Sequence, residues 1–432
     1  MWERFSYYGM RALLVLYLVN QTSGGLGWTT EEALGLYGWY TGLVYLTPLI
    51  GGMIADRYLG QRKTIVIGGV LMMIGHFSLA LPGMAAFYAG LGFLIAGNGM
   101  FKPNISTMVG ALYPQGDARR DGAFTIFYMG INVGAFFGSL ICGYLGERIN
   151  WHLGFGAAGV GMGLGLISFL ALNKKLLGHV GLAPKERKEL SAAEKAEIER
   201  PLTTVDYHRL VVIGVLLVFV VAFWTAFEQA GGLMNLFTDQ EVDRTVFGFE
   251  IPTTWYQTLN SLFIVLLAPL FSVLWERLGD KGKDPNPALK MAFGILFTSL
   301  GFVVLWFAAK QADGPAKTAQ FFIIATYFLH TVGELCLSPV GLSMVTKLAP
   351  AKLVGFAMGA WFLSNFLGNK MAGVIGGMSQ NLGAVTVFGW IAVGTAVVGA
   401  VLLVINGLLY RWMHGATENV AQPPAPVVVP GL

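Results

Sequence analysis

The sequence predicts an all-α integral membrane protein with twelve transmembrane helices arranged as two six-helix bundles. Of its 432 residues, 55% are hydrophobic and only 12% are charged, about half the charged fraction of an ordinary soluble domain. Runs of predominantly apolar residues, each long enough to cross a bilayer as a helix, recur along the whole chain. No stretch shows the alternating pattern of a membrane β-barrel strand.

Twelve such runs can be placed, and their interior Gly and Pro residues are tolerated in membrane helices. We predict spans at residues 5–20, 33–55, 64–82, 85–112, 122–145, 152–172, 208–231, 253–275, 289–309, 319–345, 354–378 and 386–410. The first run has no cleavage signal, so we expect it to act as its own insertion signal. Both cysteines, Cys142 and Cys336, fall inside spans, which argues against a disulfide framework or a metal cluster.

Lysine and arginine positions predict the orientation. The loops after even-numbered spans carry 20 of the 28 basic residues, whereas the loops after odd-numbered spans carry four. Because basic residues are retained in the cytoplasm, we expect the even loops and both termini to be cytoplasmic. The cell membrane, with a bacterial inner membrane as the expected case, is the predicted location. The net charge of +4 therefore reflects topology and gives no sign of nucleic-acid binding.

A long polar stretch, Asn173 to Arg209, divides the spans into two sets of six. The segments PLIGGMIADRYLG (48–60) and PLFSVLWERLG (269–279) follow equivalent spans and form a weak internal repeat. Two repeated halves are typical of alternating-access transporters that hold substrate between them. The predicted units are an N-terminal bundle at 1–173, a cytoplasmic linker at 174–207, a C-terminal bundle at 208–411 and a disordered tail at 412–432.

Ionisable residues inside the spans indicate where the substrate binds. They are Glu3, Arg4, Arg11, Lys102, Glu228 and Glu334. An ionised group at mid-bilayer costs roughly 2.5–3.5 kcal/mol on insertion scales, so such groups face a polar cavity or one another. Static ion pairs that lock the helices together are the alternative interpretation. We favour a cavity, because burying six charges for packing alone is hard to justify.

Residues four apart share a helix face, and this spacing places more polar and aromatic groups beside the charges. Trp224 lies four residues before Glu228, Ser338 four after Glu334, and Trp361 four before Asn365; Asn132 and Asn260 add amides. On span 1, Arg4, Tyr7 or Tyr8, and Arg11 line one side. A cavity with separated positive and negative groups and aromatic walls suits a small zwitterion.

Several segments together resemble the proton-dependent oligopeptide transporter family of the major facilitator superfamily. They are WERFSYYGMRALLVLYL, GGMIADRYLGQRK, FKPN, FYMGINVGA, FWTAFEQAGG and GELCLSPVGLSMVTKLAP. The resemblance covers residues 2 to about 369. It implies the major facilitator fold and import of di- and tripeptides together with protons, with no other cofactor.

The resemblance also implies roles for individual residues. Glu3, Arg4, Arg11 and Glu228 are expected to take part in proton coupling. Arg11 is expected to pair with Glu228 across the two bundles, and Lys102 with Glu334. The expected peptide-binding residues are Tyr7, Tyr8, Arg11, Tyr45, Lys102, Asn132, Trp224, Asn260, Glu334, Ser338 and Trp361. The partners expected from these assignments are di- and tripeptides, protons and the lipid bilayer, with the protein acting as a monomer.

Three features depart from the family pattern. The first glutamate of the family's E-x-x-E-R motif would precede Met1, which leaves two alternatives, a trimmed chain or a missing proton site. Bacterial relatives usually carry two extra spans between the halves, but the short polar linker here predicts twelve spans. Lys370 stands inside span 11, where the pattern has no charge.

Two other functions remain open from the sequence. One keeps the fold but carries nitrate, a metabolite or a drug. The other is a sensor that binds peptide without transporting it. An enzyme is not expected, because no nucleophile–base set and no metal-ligand cluster is recognisable in the sequence.

Overall fold

The computed structural model describes residues 1–21, 24–113, 117, 119–184 and 199–416. Each predicted apolar run is helical over most of its length. The spans are Trp2–Val19 (span 1), Thr30–Leu46 continued by Pro48–Ile54 (span 2), Gln61–Leu79 (span 3), Met84–Ala111 (span 4), Arg119–Arg148 (span 5), Trp151–Leu177 (span 6), Thr204–Phe227 continued by Leu233–Glu241 (span 7), Thr258–Asp280 (span 8), Pro287–Ala312 (span 9), Phe321–Leu348 (span 10), Val354–Gly377 (span 11) and Ala384–Trp412 (span 12).

Nine helical segments in this described part are long and apolar enough to cross a membrane. The other three predicted spans are helical but fall short of that test. Span 1 contains Glu3, Arg4 and Arg11, and the first helix of span 2 has only 17 residues. Span 11, Val354–Gly377, is the third. Their polar and glycine-rich faces pack against other helices, so these spans do not need a fully apolar surface.

Local sequence sets several helix starts. Span 2 begins with a capping box in which the Thr29 side chain accepts from the Glu32 backbone N–H and the Glu32 carboxylate accepts from that of Thr29. Span 7 begins with the same arrangement of Thr203 and Asp206. Each box satisfies backbone N–H groups that have no partner inside the helix. Span 9 begins with Asn286 as the capping residue.

Two spans change helix type along their length. Span 2 breaks between Leu46 and Pro48 and ends in a π-helical turn, Ala55–Leu59. Span 7 passes through a 3-10 turn, Glu228–Gly231, before the helix resumes at Leu233. Such turns change the direction of the helix and leave some backbone N–H and C=O groups without α-helical hydrogen bonds.

Short strands and helices complete the loops. Strand β1 (Val242–Asp243) pairs in parallel with β4 (Thr318–Ala319), and β2 (Thr245–Val246) pairs antiparallel with β3 (Phe249–Glu250). These strands lie in loops after odd-numbered spans. A 3-10 turn, Thr253–Gln257, leads into span 8, another, Ala351–Leu353, precedes span 11, and a short helix, Ser379–Leu382, follows span 11.

Glycines allow close approach between spans. An added Cβ on Gly68 of span 3 would lie 2.7 Å from the Gly97 carbonyl oxygen of span 4. Between the two bundles, a Cβ on Gly373 of span 11 would lie 2.4 Å from the Leu34 carbonyl oxygen and 2.8 Å from Gly38 Cα in span 2. Small residues at such contacts are typical of membrane helices.

The two bundles are joined most extensively at the end that carries the odd-numbered loops, called here the odd-loop end. Asn235 of span 7 donates to the Ala12 carbonyl oxygen of span 1 at 3.0 Å. The Glu31 backbone N–H donates to Gln380 Oε1 at 2.8 Å. Since these contacts lie on the odd-loop side of Arg11, the space between the bundles is closed toward that end.

The predicted linker and tail need two adjustments. The helix of span 6 extends to Leu177, into the predicted linker, and the next span begins at Thr204. A turn follows Trp412 at the start of the predicted tail. The rest of the predicted linker and tail, residues 185–198 and 417–432, lies outside the described residues.

Candidate functional site

A cavity between the two bundles contains most of the residues that the sequence marked as functional. It encloses about 960 Å³, a volume that includes space open to solvent. Spans 1, 2 and 5 line one side and spans 7, 8 and 10 the other. The lining residues are Tyr8, Arg11, Tyr45, Tyr128, Ile131, Asn132, Ala135, Ser139, Trp224, Phe227, Glu228, Ala230, Gly231, Gln257, Asn260, Ser261, Ile264, Tyr327, His330 and Glu334.

An ion pair between Arg11 of span 1 and Glu228 of span 7 crosses the cavity wall at its closed end. Both side chains are buried, at 8% and 3% exposure. Arg11 Nε also donates to the Tyr37 hydroxyl at 2.6 Å. Glu228 begins the 3-10 turn of span 7, so the change of helix type sets the position of its carboxylate.

A second carboxylate, Glu334, lies on span 10 and belongs to the C-terminal bundle. The Asn260 amide of span 8 donates to Glu334 Oε2 at 2.9 Å and to the Thr331 hydroxyl at 3.2 Å. No ion pair joins Glu334 to another side chain of the described chain. The carboxylate is therefore held by an amide of its own bundle, on the wall opposite span 1.

Lys102 of span 4 lies behind the aromatic wall of the cavity. Its Nζ is 3.8 Å from the centroid of the Tyr45 ring, a cation–π contact. The expected ion pair between Lys102 and Glu334 is not formed in this structure. The physical reason is that each group has another partner, Tyr45 for the lysine and Asn260 for the glutamate, while the bundles meet at the odd-loop end.

Aromatic side chains form much of the remaining wall. Trp224 packs edge-to-face against Phe227, with ring centroids 5.4 Å apart. Tyr8 packs edge-to-face against Tyr7 at 5.2 Å. Aromatic walls contribute contact area with few directional demands. The cavity can thus hold apolar groups of different size beside its fixed charges.

Comparison with known proteins places this arrangement in a family. The model of the POT family matches residues 62–181 and 186–391. The chain is 37% identical to the peptide transporter YePEPT of Yersinia enterocolitica, covering 96% of this chain and 93% of that protein. It is 31% identical to a di-/tripeptide transporter of Lactococcus lactis subsp. cremoris, covering 95% and 94%.

The chain belongs to the POT family. A crystal structure of a peptide transporter POT in complex with sulfate superposes with a TM-score of 0.88 at 36% identity, covering 95% of this chain and 93% of that one. The predicted family and fold class are therefore confirmed, and the family is one of transporters.

In this POT-family chain, the start of span 1 lines a different pocket. Arg4 Nε lies 3.2 Å from Glu3 Oε2, and the Asn98 amide donates to Glu3 Oε1 at 3.4 Å. Glu3 and Arg4 line a smaller pocket that shares Ile131 with the main cavity. Their predicted proton-coupling role would thus be exercised next to the main cavity.

Four predicted peptide-binding residues do not line the cavity of this POT-family structure: Lys102, which lies behind Tyr45, and Tyr7, Trp361 and Ser338. Tyr7 is buried at 1% exposure behind Tyr8. Trp361 packs inside the C-terminal bundle, where an added Cβ on Gly341 would lie 2.8 Å from its ring. Ser338 is half-buried, one helical turn beyond Glu334. Residue spacing showed in each case which residues share a helix face, but it could not show whether that face lines the cavity or packs against another helix.

Several cavity residues were missed by sequence reasoning, although helical spacing could have indicated them. On span 5, Tyr128 and Ser139 share a face with the predicted Asn132, and on span 10 Tyr327 and His330 share one with Glu334. The intervals of three, four, seven and eleven residues repeat along one helix face. Neutral aromatic and polar residues escaped notice because their burial costs far less than that of a charge.

The structure shows what the Lys370 side chain contacts inside span 11. Its Nζ lies 4.5 Å from the centroid of the Trp39 ring of span 2, and Trp39 is 49% exposed. Both residues lie in the half of their spans nearest the odd-loop end. The lysine thus contacts an exposed aromatic ring of the other bundle and lies away from the cavity.

Proposed function

We propose that this chain imports di- and tripeptides together with protons by alternating access. The observation that carries the proposal is the charge distribution of the cavity, with Arg11 on one bundle and Glu228 and Glu334 on the other. The names of the Yersinia and Lactococcus relatives, a peptide transporter and a di-/tripeptide transporter, support the substrate class.

The two ends of a peptide suit opposite walls. Arg11, and Lys102 if it leaves Tyr45, supply positive charge for the carboxylate. Glu334 accepts hydrogen bonds from the ammonium group, and Asn132 and Asn260 supply additional amides. Charge-assisted hydrogen bonds are about twice as strong as neutral ones. The shared backbone ends are thus recognised, while the aromatic wall accepts different side chains.

Proton coupling follows because the Glu228 carboxylate and the substrate carboxylate compete for the Arg11 guanidinium. When Glu228 is ionised, it holds the guanidinium. Protonation of Glu228 weakens that pair and frees Arg11 for the substrate carboxylate. Each proton that moves inward gains about 2.3 kcal/mol per 100 mV of membrane potential. Glu3 and Arg4, in the adjoining pocket, are a second candidate site for this coupling.

The distribution of basic residues supports a cell-membrane protein with both termini in the cytoplasm, and a bacterial inner membrane is the proposed location. With this orientation the closed odd-loop end faces outward, so the structure corresponds to an inward-facing state. We further propose that the protein acts as a monomer in the lipid bilayer, because each chain supplies both walls of its own cavity.

Vesicle uptake tests the proposal. Purified protein in liposomes with an inward proton gradient should accumulate labelled dialanine. Glu334→Gln and Lys102→Ala should each abolish accumulation, because they remove one pole of the site. Glu32→Gln is the matched control, since Glu32 caps only its own helix at the odd-loop end. Accumulation at the wild-type level in both cavity variants would remove the assigned site.

The same vesicles separate the other two functions. Unlabelled dipeptide should compete with the labelled substrate, whereas a transporter of nitrate, a metabolite or a drug would ignore it. Preloaded unlabelled dipeptide should also drive counterflow of labelled dipeptide. Saturable binding without counterflow would identify a peptide sensor instead.

A further inference from the structure

A carboxylate outside the substrate cavity joins the two bundles at the odd-loop end. Glu147 lies near the end of span 5, in the N-terminal bundle. It accepts hydrogen bonds from the Thr253 backbone N–H at 2.7 Å, the Thr254 backbone N–H at 2.9 Å and the Thr254 hydroxyl at 2.6 Å. All three donors belong to the 3-10 turn that leads into span 8, in the C-terminal bundle.

The contact is tight because the facing surface of span 5 contains glycine. An added Cβ on Gly143 would lie 1.9 Å from Thr254 Oγ1 and 2.7 Å from Thr254 Cβ. One helical turn from Gly143, Glu147 reaches the same threonine. Thr253 and Thr254 are fully buried. Their exposure to water therefore requires the odd-loop ends of spans 5 and 8 to separate.

Other charges surround this contact and belong to the same end of the molecule. Arg148 of span 5 pairs with Glu250, which precedes span 8, at 3.2 Å. Arg244 pairs with Glu250 at 2.9 Å and with Asp239 at 3.3 Å. Together with Glu147 they line a separate polar pocket of about 650 Å³.

We propose that Glu147 is a positioning residue for the transport cycle, a latch that holds the odd-loop end closed by capping the 3-10 turn that leads into span 8. The carboxylate supplies a charge-assisted cap to backbone N–H groups that have no helical partner. When the bundles rock open at this end, these three bonds break together. The latch therefore biases the equilibrium toward the state in which the cavity is open at the opposite end.

The inference rests on the proposed alternating-access function, but its test needs no substrate. Spin labels at Leu81→Cys and Asp313→Cys, with Cys142 and Cys336 changed to Ala, mark exposed odd-loop sites on the two bundles. Double electron–electron resonance spectroscopy in nanodiscs then gives the distribution of distances between the two labels across this end. If uptake fails while the distances respond as expected, the function is wrong and the latch stands.

Three variants at two positions should lengthen the distance. Glu147→Gln removes the charge and should raise the ratio of open to closed molecules at this end roughly tenfold. Glu147→Asp, which keeps the charge on a shorter side chain, should give an intermediate distribution. Gly143→Ala should also open this end, because its Cβ collides with Thr254.

Matched controls make the same chemical changes away from the contact. Glu32→Gln affects a carboxylate at the same end that bonds within its own helix. Gly35→Ala adds a methyl group at a position with nothing within 4 Å. Neither should change the distribution. A wild-type distribution for Glu147→Gln, or an equal lengthening by Glu32→Gln, would overturn the latch whatever Gly143→Ala does.

Discussion

At the residue scale, the Arg11–Glu228 pair depends on a glycine beside it. An added Cβ on Gly231 would lie 1.9 Å from the Tyr37 hydroxyl and 3.2 Å from Arg11 Nε. Gly231→Ala should displace Tyr37 and break its bond to Arg11. Because a hydrogen bond to a charged group contributes about 1.5–3 kcal/mol, we expect proton-driven dipeptide uptake to fall at least about tenfold.

The control for this substitution is Gly214→Ala. Gly214 is also in span 7, and an added Cβ there meets nothing within 4 Å. Initial rates at equal protein content should match wild type for Gly214→Ala. Equal rates for the two alanine variants would show that the close approach at Gly231 does not control Arg11.

The site residues that could be predicted from the sequence are those whose burial in a membrane span costs the most free energy. Arg11, Glu228 and Glu334 stood out because a charge in a membrane span needs a partner or water. Tyr37, which holds Arg11 at 2.6 Å, is an ordinary aromatic residue in sequence. Trp361 is aromatic too, but its face turns into its own bundle. Whether an aromatic side chain faces the cavity or its own bundle depends on tertiary packing, which residue spacing along one helix does not reveal.

At the element scale, span 5 packs closely on span 1, which carries Arg11. An added Cβ on Gly138 would lie 2.3 Å from the Phe5 carbonyl oxygen and 2.9 Å from Phe5 Cα. These are backbone atoms, so no side-chain rotation relieves the collision and the helices must move apart. Gly138→Ala should therefore destabilise the N-terminal bundle by about 1–3 kcal/mol.

Thermal unfolding of the purified protein in one detergent measures this effect as a lower midpoint temperature. Gly122→Ala, on the same helix, is the comparison, because its added Cβ meets nothing within 4 Å. An unchanged midpoint for Gly138→Ala would mean that the two spans are not in close contact at this position.

The limits of two spans were predicted closely because the bilayer demands apolar length, whereas others, such as 253–275 against Thr258–Asp280, differ by up to five residues. The predicted 85–112 and 354–378 differ by one residue at most from Met84–Ala111 and Val354–Gly377. Changes within a span were not predictable. Residues 33–55 were read as one helix, yet the backbone breaks before Pro48, and hydropathy carries no information about such a break.

At the scale of the whole molecule, one conformational state explains both the pair that forms and the pair that does not. Arg11 and Glu228 meet where the bundles are closed, next to the Asn235–Ala12 contact. Lys102 and Glu334, by contrast, keep separate partners. A sequence specifies all states of a transporter at once, so it names the possible partners without saying which are joined in a given state.

This state predicts which side of the membrane reaches the cavity. Span 10 runs from Phe321 at the odd-loop end to Leu348 at the even-loop end, so Ser338 lies on the even-loop side of Glu334. With Cys142 and Cys336 changed to Ala, a membrane-impermeant maleimide should label Ser338→Cys in inside-out vesicles. It should leave Ser338→Cys unlabelled in intact cells, because the odd-loop end is closed.

Leu81→Cys, at an exposed odd-loop position, is the orientation control and should react only in intact cells. If Ser338→Cys and Leu81→Cys react from the same side, the closed end has been assigned wrongly. If instead both labelling patterns are reversed, the orientation is inverted, and Leu81→Cys alone reports this because its accessibility depends on topology and not on the state of the cavity. Protection of Ser338→Cys by dialanine would further link the accessible space to the substrate, because a peptide held between Arg11 and Glu334 obstructs the route to that position.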